Sequence, residues 1–279
     1  GSDLWVASGY KGVARISGGT VTTYSAANGI PDEWANALDL AGDGTLWVGA
    51  SSGMMSFKNN VWTLYGDDSA ADLSDIHEIE ITADGKMWVA TLPLGTGRLC
   101  QFDPATASCL QDLEEIDGQG IMALALTAEG QPAYGTGRGV YIYRDGPFLP
   151  LQTPDRLPSN YVDSFANGLD GSLWVGTDGG IVGLDPADPY GTWNVYRSDA
   201  YPDMGGNWAS DLAVGADGTV WAAVINGSAS RLQGRSWTAF QEIYSYNTVA
   251  VDDQGRAWLG DDGKGIIVLH ADGRPAFAL

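Results

Sequence analysis

"LDGSLWVGTDGGIVGLDP", residues 169–186, runs from an Asp-Gly turn into a tryptophan-bearing extended stretch, then through a glycine-rich turn into a second extended stretch. The middle of it recurs along the chain. "DLWVAS" stands at 3–8, "TLWVGA" at 45–50, "KMWVAT" at 86–91, "TVWAAV" at 219–224 and "RAWLGD" at 256–261, most of them preceded by Asp-Gly or a close variant. Between 86 and 172 two periods pass with no tryptophan copy. There "TAEG", 127–130, supplies the turn and "QPAYGT", 131–136, stands where the tryptophan run should be. Leu4, Leu46, Met87, Pro132, Leu173, Val220 and Ala257 are then equivalent, at steps of 42, 41, 45, 41, 47 and 37 residues.

Each period reads as four short extended segments. Segment A precedes the Asp-Gly turn ("ANALDLA", "IHEIEIT", "VDSFANG"), B carries the tryptophan, C follows the glycine-rich loop ("GMMSFK", "GVYIYR", "GIVGLD") and D often opens on an aromatic ("VWTLY", "SWTAF"). About 40 residues per four-stranded antiparallel unit is the period of a β-propeller blade. The predicted fold is therefore all-β, a seven-bladed β-propeller, with a six-bladed ring with displaced terminal strands as the alternative. Residues 3–279 are read as one propeller domain behind a leading "GS", 1–2, that resembles a cloning scar. The first period begins directly at B. Either the first blade has three strands, or "RPAFAL" at 274–279 crosses over to complete it. At "QPAYGT" a bulge is expected, because proline cannot donate to an interior ladder.

Composition narrows the function. Of the 279 residues 14 are basic and 35 acidic, a formal net charge of −21, which excludes the basic footprint that nucleic acid and anionic membrane require. No apolar run approaches the length of a membrane-spanning helix. The two cysteines, Cys100 and Cys109, flank "QFDPATAS", a turn between extended runs. A disulfide and a pair of buried free thiols both fit that spacing; a disulfide would favour an oxidising, extracytoplasmic compartment.

The repeats resemble the two-component-regulator propeller repeat: an "LP-x-N-x-V" lead, an apolar strand, an Asp/Asn-Gly turn, "LWVGT" and a glycine pair. "LPSNYVDSFANGLDGSLWVGTDGGIVGLDP", 157–186, fits almost end to end, and "GIPDEWANALDLAGDGTLWVGASSGMMSF" nearly as well. The resemblance covers essentially the whole chain. It implies an extracytoplasmic sensor module of a hybrid two-component receptor, where ligands, often glycans, are perceived outside the cell. A more distant likeness is to streptogramin B lyases, propellers with a catalytic histidine site. Only His77 and His270 are present here, and no His-x-Glu constellation carries over.

The D-to-A connections and the B-to-C loops of a propeller share one face, the expected ligand side. Ten residues before each A–B turn glycine come Trp34, Asp75, Gly120, Tyr161, Trp208 and Ser245, with Tyr201, Tyr244 and Tyr246 nearby. Aromatic platforms there would stack on sugars or flat ligands, or else cap the core between blades. Two places further on come Asn36, His77, Met122, Asp163, Ser210 and Asn247, followed at the next position by Glu78, Ser164 and Asp211. These would line the channel mouth or simply bond strand ends. His77 and Glu78 are expected to face opposite ways, as neighbours on a strand do. Arg138, in "GTGRG", is a cation on the same face, and pairing with a neighbouring acid is its plainer role. The Asp-Gly turns fit hairpins that need a positive φ at glycine better than calcium loops. No metal and no cofactor is predicted. Two insertions, 91–98 and 197–208, lengthen loops of the ligand face.

A non-catalytic binding or sensing propeller, with a small-molecule, glycan or protein partner, is the first reading. The others are a lyase or glycoside hydrolase using carboxylates such as Glu78, Asp163 and Asp211, and a protein-binding scaffold.

Overall fold

The computed structural model describes residues 3–65, 73–91, 97–113, 120–143, 148–153, 156–240, 246–261 and 265–278. They form seven antiparallel sheets, the architecture of a seven-bladed β-propeller. Sheet 1 holds β1 (Leu4–Ala7), β2 (Val13–Ser17) and β3 (Thr20–Tyr24). Sheet 2 holds β4 (Ala35–Leu40), β5 (Leu46–Ala50), β6 (Gly53–Lys58) and β7 (Val61–Tyr65). Sheet 3 holds β8 (Ile76–Ile81), β9 (Met87–Thr91), β10 (Arg98–Asp103) and β11 (Ser108–Leu113). Sheet 4 holds β12 (Ala123–Leu126), β13 (Pro132–Thr136), β14 (Gly139–Tyr143) and β15 (Phe148–Leu151). Sheet 5 holds β16 (Val162–Asn167), β17 (Leu173–Thr177), β18 (Gly180–Leu184) and β19 (Asn194–Tyr196). Sheet 6 holds β20 (Ala209–Val214), β21 (Val220–Val224), β22 (Ser230–Gln233) and β23 (Ser236–Ala239). Sheet 7 holds β24 (Tyr246–Val251), β25 (Ala257–Asp261), β26 (Gly265–Leu269) and β27 (Pro275–Ala278).

The C-terminal strand β27 pairs with β26 of its own sheet and does not cross over to the first, which has three strands among the described residues. Two compact units divide the chain, Gly1–Leu124 and Ala125–Leu279.

The Asp-Gly turns show why the strands stop where they do. In sheet 2, Gly44 sits at φ 81° and donates its amide to Ala41 O, while the Asp43 carboxylate accepts the Thr45 amide at 2.9 Å. Asp170 and Asp217 accept the amides of Ser172 and Thr219 in the same way, each at 3.1 Å. The carboxylate completes the turn, as the hairpin reading predicts.

Packing between neighbouring sheets follows from the tryptophan of B. Within the first unit, Trp5 stacks on Tyr24 at 5.8 Å and meets Phe57 of sheet 2 edge-on at 5.7 Å. One period later, Trp47 lies 5.5 Å from Tyr65 and 6.2 Å from Phe102 of sheet 3. In the second unit, Trp174 stacks on Tyr196, which meets Trp237 of sheet 6. Each buried aromatic contributes on the order of 2–3 kcal/mol by leaving water, and about 1 kcal/mol more through ring geometry.

Sheet 4 departs from this. Ala133 occupies the tryptophan position, and the aromatic has moved one place to Tyr134, stacked on Tyr141 at 4.9 Å. One residue along a strand reverses the face. The bulge expected at Pro132 is not found toward β14, because Ala133–Thr136 pair with Gly139–Ile142 without a shift. Proline opens β13, where a missing amide is tolerated.

Candidate functional site

Bulges do occur, one place into the innermost strands. The register shifts between Ala35 and Ala37, Ile76 and Glu78, Val162 and Ser164, Ala209 and Asp211, and Tyr246 and Thr248. The extra residues are Asn36, His77, Asp163, Ser210 and Asn247, the same polar set singled out by the repeat alignment. In sheet 4, Met122 takes that position and β12 starts only after it. A bulge leaves one residue unpaired and re-aims its side chain.

Those side chains reach the next sheet. Asn36 Nδ2 donates to Ile76 O at 3.2 Å, and Ser210 Oγ donates to Tyr246 O at 2.7 Å. Ile76 and Tyr246 hold the same repeat position. Carboxylates further along bind edge amides: Asp39 Oδ2 accepts the Ile81 amide at 2.9 Å, and Asp211 Oδ2 accepts the Val249 amide and the Thr248 hydroxyl, both at 2.8 Å. Strand alternation therefore does not decide how His77 and Glu78 stand, since the bulge separates them. The carboxylate whose charge acts on His77 is Asp75, which only partly offsets the burial that pushes the imidazole below its ordinary value.

The aromatic positions are built on a common backbone device. The amide of the B-to-C loop donates to the carbonyl of the rim aromatic: Ser51 to Trp34 at 3.2 Å, Asp178 to Tyr161 at 3.3 Å and Ile225 to Trp208 at 2.9 Å. Loop and lead thus share a face within each unit. The three rings remain open to solvent, Trp34 by 58%, Tyr161 by 41% and Trp208 by 37%.

In the first unit Tyr10 stands 6.3 Å from Trp34, centroid to centroid. Asp32 fixes this corner, accepting the Trp34 amide with one oxygen and the Ser52 amide and hydroxyl with the other. In the second unit the Trp208 indole donates to Asp163 Oδ2 at 3.0 Å. Burial pushes the Asp163 carboxyl up to about 6, with the nearby Asp178 charge adding to the effect and the indole opposing it.

Burial also raises Asp211 to about 6, against three hydrogen bonds that favour its charged form. In the first unit Glu80 is driven up to about 8 by burial and by the charge of Asp39, itself raised by burial. Asp39 and Glu80 were not singled out in the sequence. Their signal is present in the alignment, because the other four strands carry alanine there: Ala125, Ala166, Ala213 and Ala250.

Arg138 is exposed in the β13–β14 turn, its amide bonded to Thr136 Oγ1 at 3.0 Å. Gly179 repeats that bond to Thr177 at 3.1 Å, so "GTGRG" and "GTDGG" are one turn. A Cβ on Gly139 would fall 2.4 Å from Leu151 O, which makes glycine obligatory where β14 starts. Tyr244 and Ser245 lie outside the described residues, as do 92–96 of the first insertion. The second insertion is folded down: Met204 is fully buried in the core of sheets 5 and 6, and Ser230 Oγ donates to its carbonyl. His270 is exposed in the β26–β27 turn. Cys100 and Cys109 are joined in a disulfide, with Cα atoms 5.5 Å apart.

Among the described residues no cluster of three or more His, Cys, Asp or Glu could hold a metal ion, and no helix is long and apolar enough to cross a membrane.

No family model and no curated protein matches the chain. Solved structures do. A streptogramin B lyase aligns at a TM-score of 0.71 and 13% identity, over 95% of this chain and 88% of that one. Virginiamycin B lyase from Staphylococcus aureus gives 0.67 and 12%, over 88% and 84%. The extracellular domain assigned to a hybrid two-component system of B. thetaiotaomicron gives 0.67 and 15%, over 98% of this chain and 44% of that one. The chain spans under half of that sensor domain. What these likenesses establish is the fold: the chain is built as a β-propeller of the kind found both in streptogramin B lyases and in the extracellular domains of two-component sensors.

Proposed function

We propose that the chain is a non-catalytic, extracytoplasmic ligand-binding propeller, a module of a larger receptor, that takes a glycan or another flat small molecule on its exposed rim aromatics. The observation that carries this reading is the repeated presentation of an exposed ring. Trp34, Tyr161 and Trp208 occupy one repeat position, and a loop amide pins the backbone of each while the ring faces solvent. Rigid aromatic platforms bind sugars at little entropic cost. The disulfide supports an oxidising compartment.

Against hydrolysis, Asp211 already spends its carboxylate on Thr248, Val249 and Leu212, and Asp163 holds Trp208. These hydrogen bonds favour a structural role for the two carboxylates over general acid catalysis.

A panel of oligosaccharides and small metabolites, screened by thermal shift, tests the proposal. Stabilisation by at least one compound is expected, reduced tenfold or more in affinity by Trp34→Ala with Trp208→Ala. Binding that survives the double substitution would remove the rim from the proposal. Turnover of the bound compound would make the protein an enzyme.

A further inference from the structure

Charge is arranged differently at the two aromatic corners. In the first unit the chain supplies its own cation: Lys11 Nζ stands 5.7 Å from the centroid of the Tyr10 ring, which in turn leans on Trp34. In the second unit the rings are Tyr161 and Trp208, and the charges beside them are negative. Asp163 follows Tyr161 by two residues; its Oδ2 accepts the Trp208 indole at 3.0 Å, while its Oδ1 accepts nothing among the described residues. The Asp178 amide donates to Tyr161 O at 3.3 Å, and the Asp178 carboxylate is close enough for its charge to act on Asp163. Among the described residues neither carboxylate is paired with Lys or Arg, and no cation of the chain lies over Tyr161 or Trp208. Arg197 of the second insertion, whose Cγ would lie 3.0 Å from a Cβ on Gly180, turns to Asp199 at 3.9 Å instead.

An ammonium group carries three N–H donors, which suit carboxylate oxygens, and is attracted to the face of an indole as well. Calcium or magnesium would need about six or more oxygen ligands, and no group of three His, Cys, Asp or Glu is available among the described residues. The chain's net charge of −21 raises the local concentration of any cation. We propose that Trp208, Asp163, Asp178 and Tyr161 form a recognition site for the ammonium group of an amino sugar whose amine is not acetylated.

This rests on the reading of the exposed rings as ligand platforms and names the chemistry of what they take. Asp163 Oδ1 and the exposed Asp178 carboxylate accept the ammonium protons, and the indole face packs on the apolar face of the sugar ring, with Tyr161 as the neighbouring platform. The latch gains a second role here. By tying the N–H edge of Trp208 to Asp163 it fixes the ring relative to the charge, so that both are presented to the ligand at one spacing.

Calorimetric titration of the intact protein, slightly below neutral pH, with a glucosamine trisaccharide, its N-acetylated form and the matching glucose trisaccharide separates charge from stacking. The amine form is expected to bind about tenfold more tightly than the other two, and less tightly as salt is raised. Asp163→Asn, which keeps an oxygen for the indole, and Asp178→Asn, at an exposed position, should each weaken amine binding about tenfold. Asp272→Asn removes the same charge at the β26–β27 turn and should leave amine binding unchanged. Equal binding of the acetylated or glucose form would overturn the ammonium assignment while supporting the rim as a saccharide platform. Amine binding indifferent to Asp163→Asn and Asp178→Asn would overturn the site, leaving only the pull of the net charge. Tighter binding of a lysine peptide than of the amino sugar would overturn the ligand class. Failure of all three sugars to bind would overturn the assignment too, and the broader compound panel would still decide the reading beneath it.

Discussion

Trp34 and Trp208 hold one place in the repeat and are presented by the same backbone hydrogen bond, yet their side chains are held differently. Trp208 is latched by its indole to Asp163, the bulge residue of the innermost strand before it. Among the described residues the sheet before Trp34 shows no innermost strand, and no bulge residue reaches the ring. Its ring leans on Tyr10 instead and is more exposed, 58% against 37%. The repeat sets where an aromatic is displayed; the preceding sheet sets how firmly.

The same contrast separates the means by which each unit is held, and the sharpest test removes the covalent one. Replacing Cys100 and Cys109 with serine opens a loop of nine residues' separation in the first unit. A loss of about 2–3 kcal/mol in urea unfolding is expected, by the chain-entropy estimate for so short a loop. In the second unit the hydrogen-bonded latches carry the load. Asp211→Ala strands the Val249 amide and the Thr248 hydroxyl and should cost about 2 kcal/mol, whereas Asp39→Ala, which loses a single bond to the neighbouring strand, should cost about 1 kcal/mol. Equal losses would mean that the latches do not differ as their bond counts suggest.

Acidity should distinguish the units more gently. Asp163 and Asp211 lie near 6 and Glu80 near 8 when folded, all above their unfolded values of 3.8 and 4.5. In those windows the folded state binds more protons than the unfolded one, so stability falls as pH rises through them. A higher Tm at pH 5 than at pH 7.5 is expected. Glu80→Gln should lessen that slope throughout about pH 4.5–8, leaving the Asp163 and Asp211 contribution between about pH 4 and 6. Asp84, Asp170 and Asp217, held below their ordinary value by turn hydrogen bonds, and Asp43, held there first by Lys58 and then by Thr45, act only under about pH 4 and with the opposite sign.

The smallest effect is spectroscopic. The indole N–H resonance of Trp208, assigned through Trp208→Phe, should shift with a midpoint near 6 and stop doing so in Asp163→Asn. That of Trp34 should not move. Titration of both would show that one common cause, not the latch, is responsible.

Much of this could be read from the residues. Seven periods of the B motif announced seven sheets, and the Asp-Gly turns ended the strands where expected, because both depend on local chemistry. The bulges were not legible. Asn36, His77, Asp163, Ser210 and Asn247 were noticed as polar, but a bulge adds one residue without changing its type, and only the pairing reveals it. Asp39 and Glu80 escaped because their chemistry lies about 40 residues away, one period along the chain: the amide that Asp39 binds belongs to Ile81. Toward β14 the bulge expected at Pro132 is absent for a simpler reason. A proline at the first position of a strand has no ladder bond to lose.

The backbone latches also have a direction. From Asn36 and Asp39 to sheet 3, and from Ser210 and Asp211 to sheet 7, a side chain of the earlier sheet grips the main chain of the later one. Damage should therefore travel one way: a substitution at a latch residue loosens its successor while leaving its own ladder intact. Each gripped sheet is in effect written twice, once in its own sequence and once in that of its predecessor. Transplanting a single blade would carry over only the first copy.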